Sequence, residues 1–142
     1  MDTDKIGLLL KEPPSDDTYP ILRWLEKGHG TIVYSTGGVF SEELTKRARR
    51  RFREWSRAGW ATAISLERFR DDEEDLRGGD ALKSGDAHIL ALARASGARL
   101  LYSGDADLID DFKNKRLIDR PRGRIYSRAA NADLLTTSAC HR

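Results

Sequence analysis

The sequence predicts an α/β domain, a three-layer sandwich with a central, mostly parallel sheet and helices on both faces. Three observations point there. Short β-branched and aromatic runs, Thr31–Ser35, Trp60–Ile64 and Arg99–Ser103, read as strands. Stretches with apolar residues at three- and four-residue spacing lie between them and read as amphipathic helices. Strands and helices in alternation imply parallel pairing, because a parallel crossover is long enough to hold a helix. With 142 residues, 39% of them hydrophobic, the chain can bury one core. The domain is expected over residues 1–128, with 129–142 as a loosely ordered tail.

Each element follows from local signals. Lys5 to Leu10 forms a short apolar helical turn that Pro13-Pro14 ends. Asp17 or Thr18 can cap a helix with Pro20 in its first turn, Ile21, Leu22, Trp24 and Leu25 on its buried stripe, and Gly28 and Gly30 at its end. After the strand at Thr31–Ser35, Thr36-Gly37-Gly38 turns the chain into one long helix, from about Ser41 to Gly59. Phe40, Leu44, Ala48, Phe52 and Trp55 form its buried face. Beyond the strand at Trp60–Ile64, a helix opens at Ser65 and carries the acidic run Asp71–Asp75 on its solvated side. Arg77 to Asp80 reads as a loop and Ser84 as the next cap. Ile89, Leu90, Leu92 and Ala93 form the stripe of the following helix, and Gly97 its left-handed terminator. The strand at Arg99–Ser103 leads into a helix from Asp105 to Lys113, and Gly123–Tyr126 adds one more short strand.

Charge is segregated far more than the net value of +2 suggests. Between Thr45 and Ala58, Lys46, Arg47, Arg49, Arg50, Arg51, Arg53 and Arg57 face a single acid, Glu54, and a second basic run extends from Lys113 to Arg128. Basic surfaces of this kind suit a polyanion. Arg49, Arg50, Arg53, Lys113, Lys115, Arg116 and Arg122 are the candidate nucleic-acid contacts, with a solvated helix face as the plain alternative. A lone cysteine, Cys140, excludes an internal disulfide and a thiolate metal cluster, so a reducing cytoplasm is the expected setting. No apolar run is long enough to span a bilayer, and no signal peptide is read. His29, His88 and His141 lack metal-ligand spacing. His88 is near enough to Asp86 to touch the same site, although packing accounts for it more simply.

Acids recur near strand ends and helix starts, at Asp2 (with Asp4), Glu42 or Glu43, Asp86, and the pair Asp105 and Asp107. In open α/β sheets, ligands bind beyond the carboxyl ends of the strands. Clustered carboxylates raise one another's pKa, a conflict that a divalent cation removes. Mg²⁺ and Mn²⁺ favour such oxygen ligands, and one or two ions can activate a water and offset charge on a scissile phosphate. Plainer readings stand beside this one. Asp86 and Asp105 can be helix caps, Glu42 and Glu43 ordinary first-turn acids, and Asp110 and Asp111 exposed helix residues. A phosphoryl-transfer enzyme using Asp105-Ala106-Asp107 would need an aspartyl nucleophile and a stabilising lysine, for which no clear pattern appears.

In order and local sequence, these acids resemble the PIN-domain nucleases, including the VapC-type toxins of bacterial toxin–antitoxin pairs. Asp2-Thr3-Asp4 is similar to that family's opening Asp-Thr-Asn, and Glu43-Leu44 to its second acid at a helix start. Ser84-Gly85-Asp86-Ala87-His88-Ile89-Leu90 resembles the third motif, and Ser103-Gly104-Asp105-Ala106-Asp107-Leu108 the closing Ser/Thr-x-Asp-x-Asp segment. The resemblance extends to about Phe112 and implies a Mg²⁺- or Mn²⁺-dependent endoribonuclease. It makes Asp2, Glu43, Asp86, Asp105 and Asp107 the catalytic and metal-binding set, with Ser103 supporting a ligand or a water. It also implies RNA as partner and an antitoxin protein; another nucleic acid stays open as the polymer, a homodimer is a further expectation, and the short apolar runs predict no membrane. In the family the first motif closes an apolar strand in the middle of the sheet. Here only Met1 precedes Asp2, so this PIN-like fold is expected with its first central strand truncated. A non-catalytic nucleic-acid-binding module on a degenerate version of the fold is the competing expectation.

Overall fold

The structure, a computed structural model, describes residues 1–119 and 121–135, without the side chains of residues 3, 4, 39 and 41. It is mixed α/β. Two helices, α1 (Thr3–Leu9) and α2 (Tyr19–Glu26), precede β1 (Ile32–Ser35). Then come α3 (Gly38–Glu43), α4 (Lys46–Ala58), β2 (Ala61–Ile64), α5 (Leu66–Gly78) and α6 (Ala87–Ser96). The chain continues through β3 (Leu100–Tyr102), α7 (Ala106–Lys113), β4 (Arg124–Tyr126) and a 3₁₀ helix at Ala129–Leu134. Among the described residues no helix is long and apolar enough to cross a membrane.

The strands pair in parallel, as the alternation implies, but they form two two-stranded sheets rather than one. β1 lies beside β2 with Ile32 opposite Ala61, and β3 beside β4 with Leu100 opposite Arg124. The physical reason is a gap between β1 and β3. Met1, Val33 and Leu100 line both of two cavities there, of about 60 and 20 Å³. No strand among the described residues pairs with either edge across that gap. Asp2 makes the one step towards it, donating its backbone N–H to the Tyr102 carbonyl at the end of β3 (3.1 Å).

Helix α6 is buried along its length from Ala87 to Ala93, which marks it as the central helix of the core. Leu90 within it, and Phe40, Phe52, Leu101, Leu108 and Phe112 elsewhere in the core, are almost fully buried. The long helix expected from Ser41 to Gly59 is two helices. Thr45 adopts an extended backbone (ψ 163°), which interrupts the winding, and its hydroxyl accepts from the Ala48 N–H to start α4 afresh. The break leaves Glu43 at the end of α3 instead of inside a helix. At its other end α4 closes on Gly59 at φ 84°, a conformation that costs other residues strain.

Helix α5 runs through Gly78, whereas a loop is expected from Arg77. The Arg77 guanidinium reaches back to Glu73 (2.9 Å) and keeps the last turn wound. The stretch read as the start of a loose tail contains the 3₁₀ helix. Its Ala129 N–H donates to the Asp17 carboxylate (2.9 Å), and the Tyr126 hydroxyl donates to the Asp17 carbonyl. The rest of that tail, with Cys140 and His141, lies outside the described residues.

Candidate metal centre

Asp86 sits at the N-cap of α6 and makes no side-chain capping bond, so its carboxylate is not committed to the helix. The loop before it is pinned by a residue that sequence reasoning places on the surface. Asp111 is only 1% exposed, and its carboxylate accepts the N–H groups of Lys83 (2.9 and 3.1 Å) and Ser84 (2.8 Å). The expectation of an exposed Asp111 is therefore overturned. Leu108, Asp111 and Phe112 share the buried face of α7, and that spacing was the signal for it. Asp110 does stay exposed, beside the Lys83 ammonium (3.4 Å). Ser84, expected as the helix cap, instead receives the Asp86 N–H on its hydroxyl (3.3 Å) and shapes the turn.

On the opposite side, Ser103 ties two acids together. Its hydroxyl, fully buried, donates to Asp2 Oδ2 (2.7 Å) and accepts the N–H of Asp105 (3.0 Å). Ser103 thus supports a candidate ligand directly. Asp105 caps α7 as the plain reading expects, accepting from the N–H groups of Asp107 (2.9 Å) and Leu108 (3.2 Å) through Oδ1 alone. Capping and a second role through Oδ2 are compatible. Asp107 is exposed in the first turn of α7. Sequence reasoning missed Lys5, whose ammonium lies 5.4 Å from the centre of the Tyr102 ring and close to Gly104.

Glu43, Asp86 and His88 complete the arrangement. One ligand atom from each lies within 4.8 Å of the other two. His88 is 2% exposed, and its Nε2 is 3.1 Å from Glu43 Oε1. Of Glu42 and Glu43, it is Glu43 that lies beside His88 and Asp86. Asp86 registers the whole group. Burial raises its pKa first, the charge of His88 opposes that rise, and Asp2, Glu43 and Asp105 each add to it. Asp2, Glu43 and Asp105 therefore each act on Asp86, while Asp107 is not among the groups that do. Of the five acids singled out, Glu43 and Asp86 are the two that join the group within 4.8 Å among the described residues.

This raised pKa carries a stability consequence. A carboxyl that holds its proton more tightly when folded contributes stability at low pH, lost as pH rises through its folded value. Asp86→Asn is therefore expected to raise the Tm of the metal-free chain at pH 7 and leave it unchanged at pH 3, as read by thermal melts at both pH values. A lower Tm at pH 7 would contradict the electrostatic account.

The basic candidates divide by position. Arg49 and Arg53, four apart on α4, line a recess of about 200 Å³ with Tyr34, Ser35, Thr36 and Leu44, at the carboxyl end of β1. Arg50 is exposed but does not line it. Arg47 and Arg51 turn the other way, towards the Leu10 carbonyl (3.2 Å) and Glu12 (3.5 Å). Lys113, Lys115, Arg116 and Arg122 are exposed around the far end of α7 from Asp105. Eight helical residues separate those ends by roughly 12 Å. Arg120 lies outside the described residues. No protein-family model, curated protein or solved structure matches this chain.

Proposed function

We propose that the protein is a metal-dependent endoribonuclease with a PIN-like three-layer fold, acting as the toxin of a toxin–antitoxin pair. One observation carries the proposal: Glu43 on α3, with Asp86 and His88 at the start of α6, bring one ligand atom each within 4.8 Å of one another, and the charges of Asp2, Glu43 and Asp105 add to the burial that raises the Asp86 pKa. Such an arrangement is costly without a cation and ordinary with one. Glu43, Asp86 and Asp105 would hold a Mg²⁺ or Mn²⁺ ion together with Asp2. When bound, that ion would activate a water and neutralise charge developing on a phosphodiester.

The chain's own residues account for the rest. Ser103 holds the Asp2 carboxylate in one orientation. Asp111 fixes the loop that delivers Asp86. Arg49 and Arg53, which line the recess at the β1 end, would grip the RNA backbone, and the exposed Lys113–Arg122 surface would add contacts to it. Incubating mixed RNA with Mn²⁺ or chelator tests the reading. Cleavage should require the metal and should fall at least about a hundredfold in Asp86→Asn, within the range seen when charge-stabilising groups are removed. RNA binding that weakens with salt, without cleavage under any metal, would replace it with the non-catalytic reading.

A further inference from the structure

We infer that His88 is itself a metal ligand, so that the centre takes borderline transition ions in preference to Mg²⁺. The inference deepens the metal-centre reading above and rests on it. Three features of the imidazole support it. First, His88 is almost wholly buried, yet it points Nε2 at Glu43 Oε1 rather than at core. Its Nε2, a Glu43 oxygen and an Asp86 oxygen form one group within 4.8 Å. Ligands at about 2.1 Å from a shared ion lie no more than roughly 4.2 Å apart. Glu43 and His88, 3.1 Å apart, already meet that limit, and the partly exposed side chains of Glu43 and Asp86 can adjust to it.

Second, the other ring nitrogen is not engaged. Nδ1 of His88 is buried and has no hydrogen-bond partner among the described residues. Either neutral tautomer leaves Nδ1 unpaired, so the Nε2 side alone decides where the proton sits. Without an ion, an Nε2–H donated to Glu43 is the satisfactory arrangement. With an ion bound there, His88 would carry its proton on Nδ1 and offer the Nε2 lone pair as a ligand, and the far side would hold a buried N–H in place of a buried lone pair. Third, the edge of the His88 ring packs against Phe40, with centroids 6.5 Å apart, which restricts its rotation away from Glu43.

A nitrogen donor changes which ion is favoured. Mg²⁺ demands oxygen ligands in near-octahedral geometry, whereas imidazole suits Zn²⁺ and the later first-row ions, with Mn²⁺ intermediate. His88, Asp86 and Glu43 make one nitrogen and two carboxylate donors, a set that a purely acidic cluster would not present.

The test reads metal binding directly, with no RNA present. Electron spin-echo modulation of the full chain loaded with Mn²⁺ should show coupling to a histidine nitrogen, shifting when the histidines carry ¹⁵N. That coupling should vanish in His88→Gln, which keeps a polar oxygen near the Nε2 position, and persist in His29→Gln. By calorimetry, Zn²⁺ should bind wild-type protein at least tenfold more tightly than Mg²⁺, and His88→Gln should weaken Zn²⁺ binding at least tenfold while leaving Mg²⁺ affinity within twofold. Wild-type Mn²⁺ protein without nitrogen coupling would overturn the inference, a measurement that needs no variant to fold. Mg²⁺ binding and Mg²⁺-dependent cleavage alongside that result would leave the nuclease reading intact. Failure of every ion to bind would overturn both.

Discussion

Asp111→Ala is expected to destabilise the protein by about 3–5 kcal/mol, because two backbone donors lose a charged, buried acceptor. For a chain of this size that corresponds to a Tm lower by roughly 10 °C. The size follows from the contacts. The carboxylate takes Lys83 N–H with both oxygens and Ser84 N–H at 2.8 Å, and it is 1% exposed. Hydrogen bonds to a charged group contribute about 1.5–3 kcal/mol each, against about 1 for neutral pairs. Asp111→Asn should recover only part of the loss, since its amide nitrogen would face backbone donors. Asp110→Ala, one residue away, removes only an exposed pair with Lys83 and should stay within about 0.5 kcal/mol of wild type. Chemical denaturation of the three variants checks the series. Equal effects at positions 110 and 111 would mean that the loop is not held this way. Because the same loop ends at Asp86, Asp111→Ala should also weaken metal binding, even though residue 111 touches no candidate ligand.

That residue shows where sequence reading stops. The motif residues were legible because they sit beside turns and caps that have local signatures. Gly97 ends α6 as expected, and Asp105 caps α7 as expected. Asp111 and His88 carry no such signature. Each is a polar residue on an apolar helix face, and what it pairs with lies far along the chain, 27 and 45 residues away. Helix phase could have flagged both as buried, but not named their partners. Thr45 is a different failure. The periodicity of Phe40, Leu44, Ala48 and Phe52 continues across it, so the pattern read as one helix while the cap hydroxyl made two. The parallel pairing was legible from alternation, whereas the separation of the sheets depends on what lies between β1 and β3, which is a tertiary matter.

The largest gain in stability is expected from filling that space. An apolar strand of about five residues, such as alternating valine and isoleucine, fused ahead of Met1 should raise stability by about 4–6 kcal/mol and Tm by roughly 10–15 °C. The direction is set by the molecule. β1 and β3 belong to parallel pairs, and Asp2 already donates to the Tyr102 carbonyl. A strand running into Met1 is expected to extend that bond into a ladder along β3 and to part the walls of the gap enough to pair with β1 as well. Burying each aliphatic side chain yields about 1.5–3 kcal/mol, and ordering each residue costs a similar amount. The surplus comes from ladder hydrogen bonds on two edges, at about 1 kcal/mol each. Side chains such as Val33 and Leu100 that now line the gap supply its walls. A fused segment of alternating lysine and aspartate should give no gain, because the cavity offers its charges no partners. Hydrogen exchange separates insertion from a general solubility effect. The amides of Val33 and Leu101 should become markedly slower to exchange with the apolar strand only, since both sheets would then open as one unit. Unchanged melting and unchanged exchange with the apolar fusion would show that the two sheets are complete as they stand.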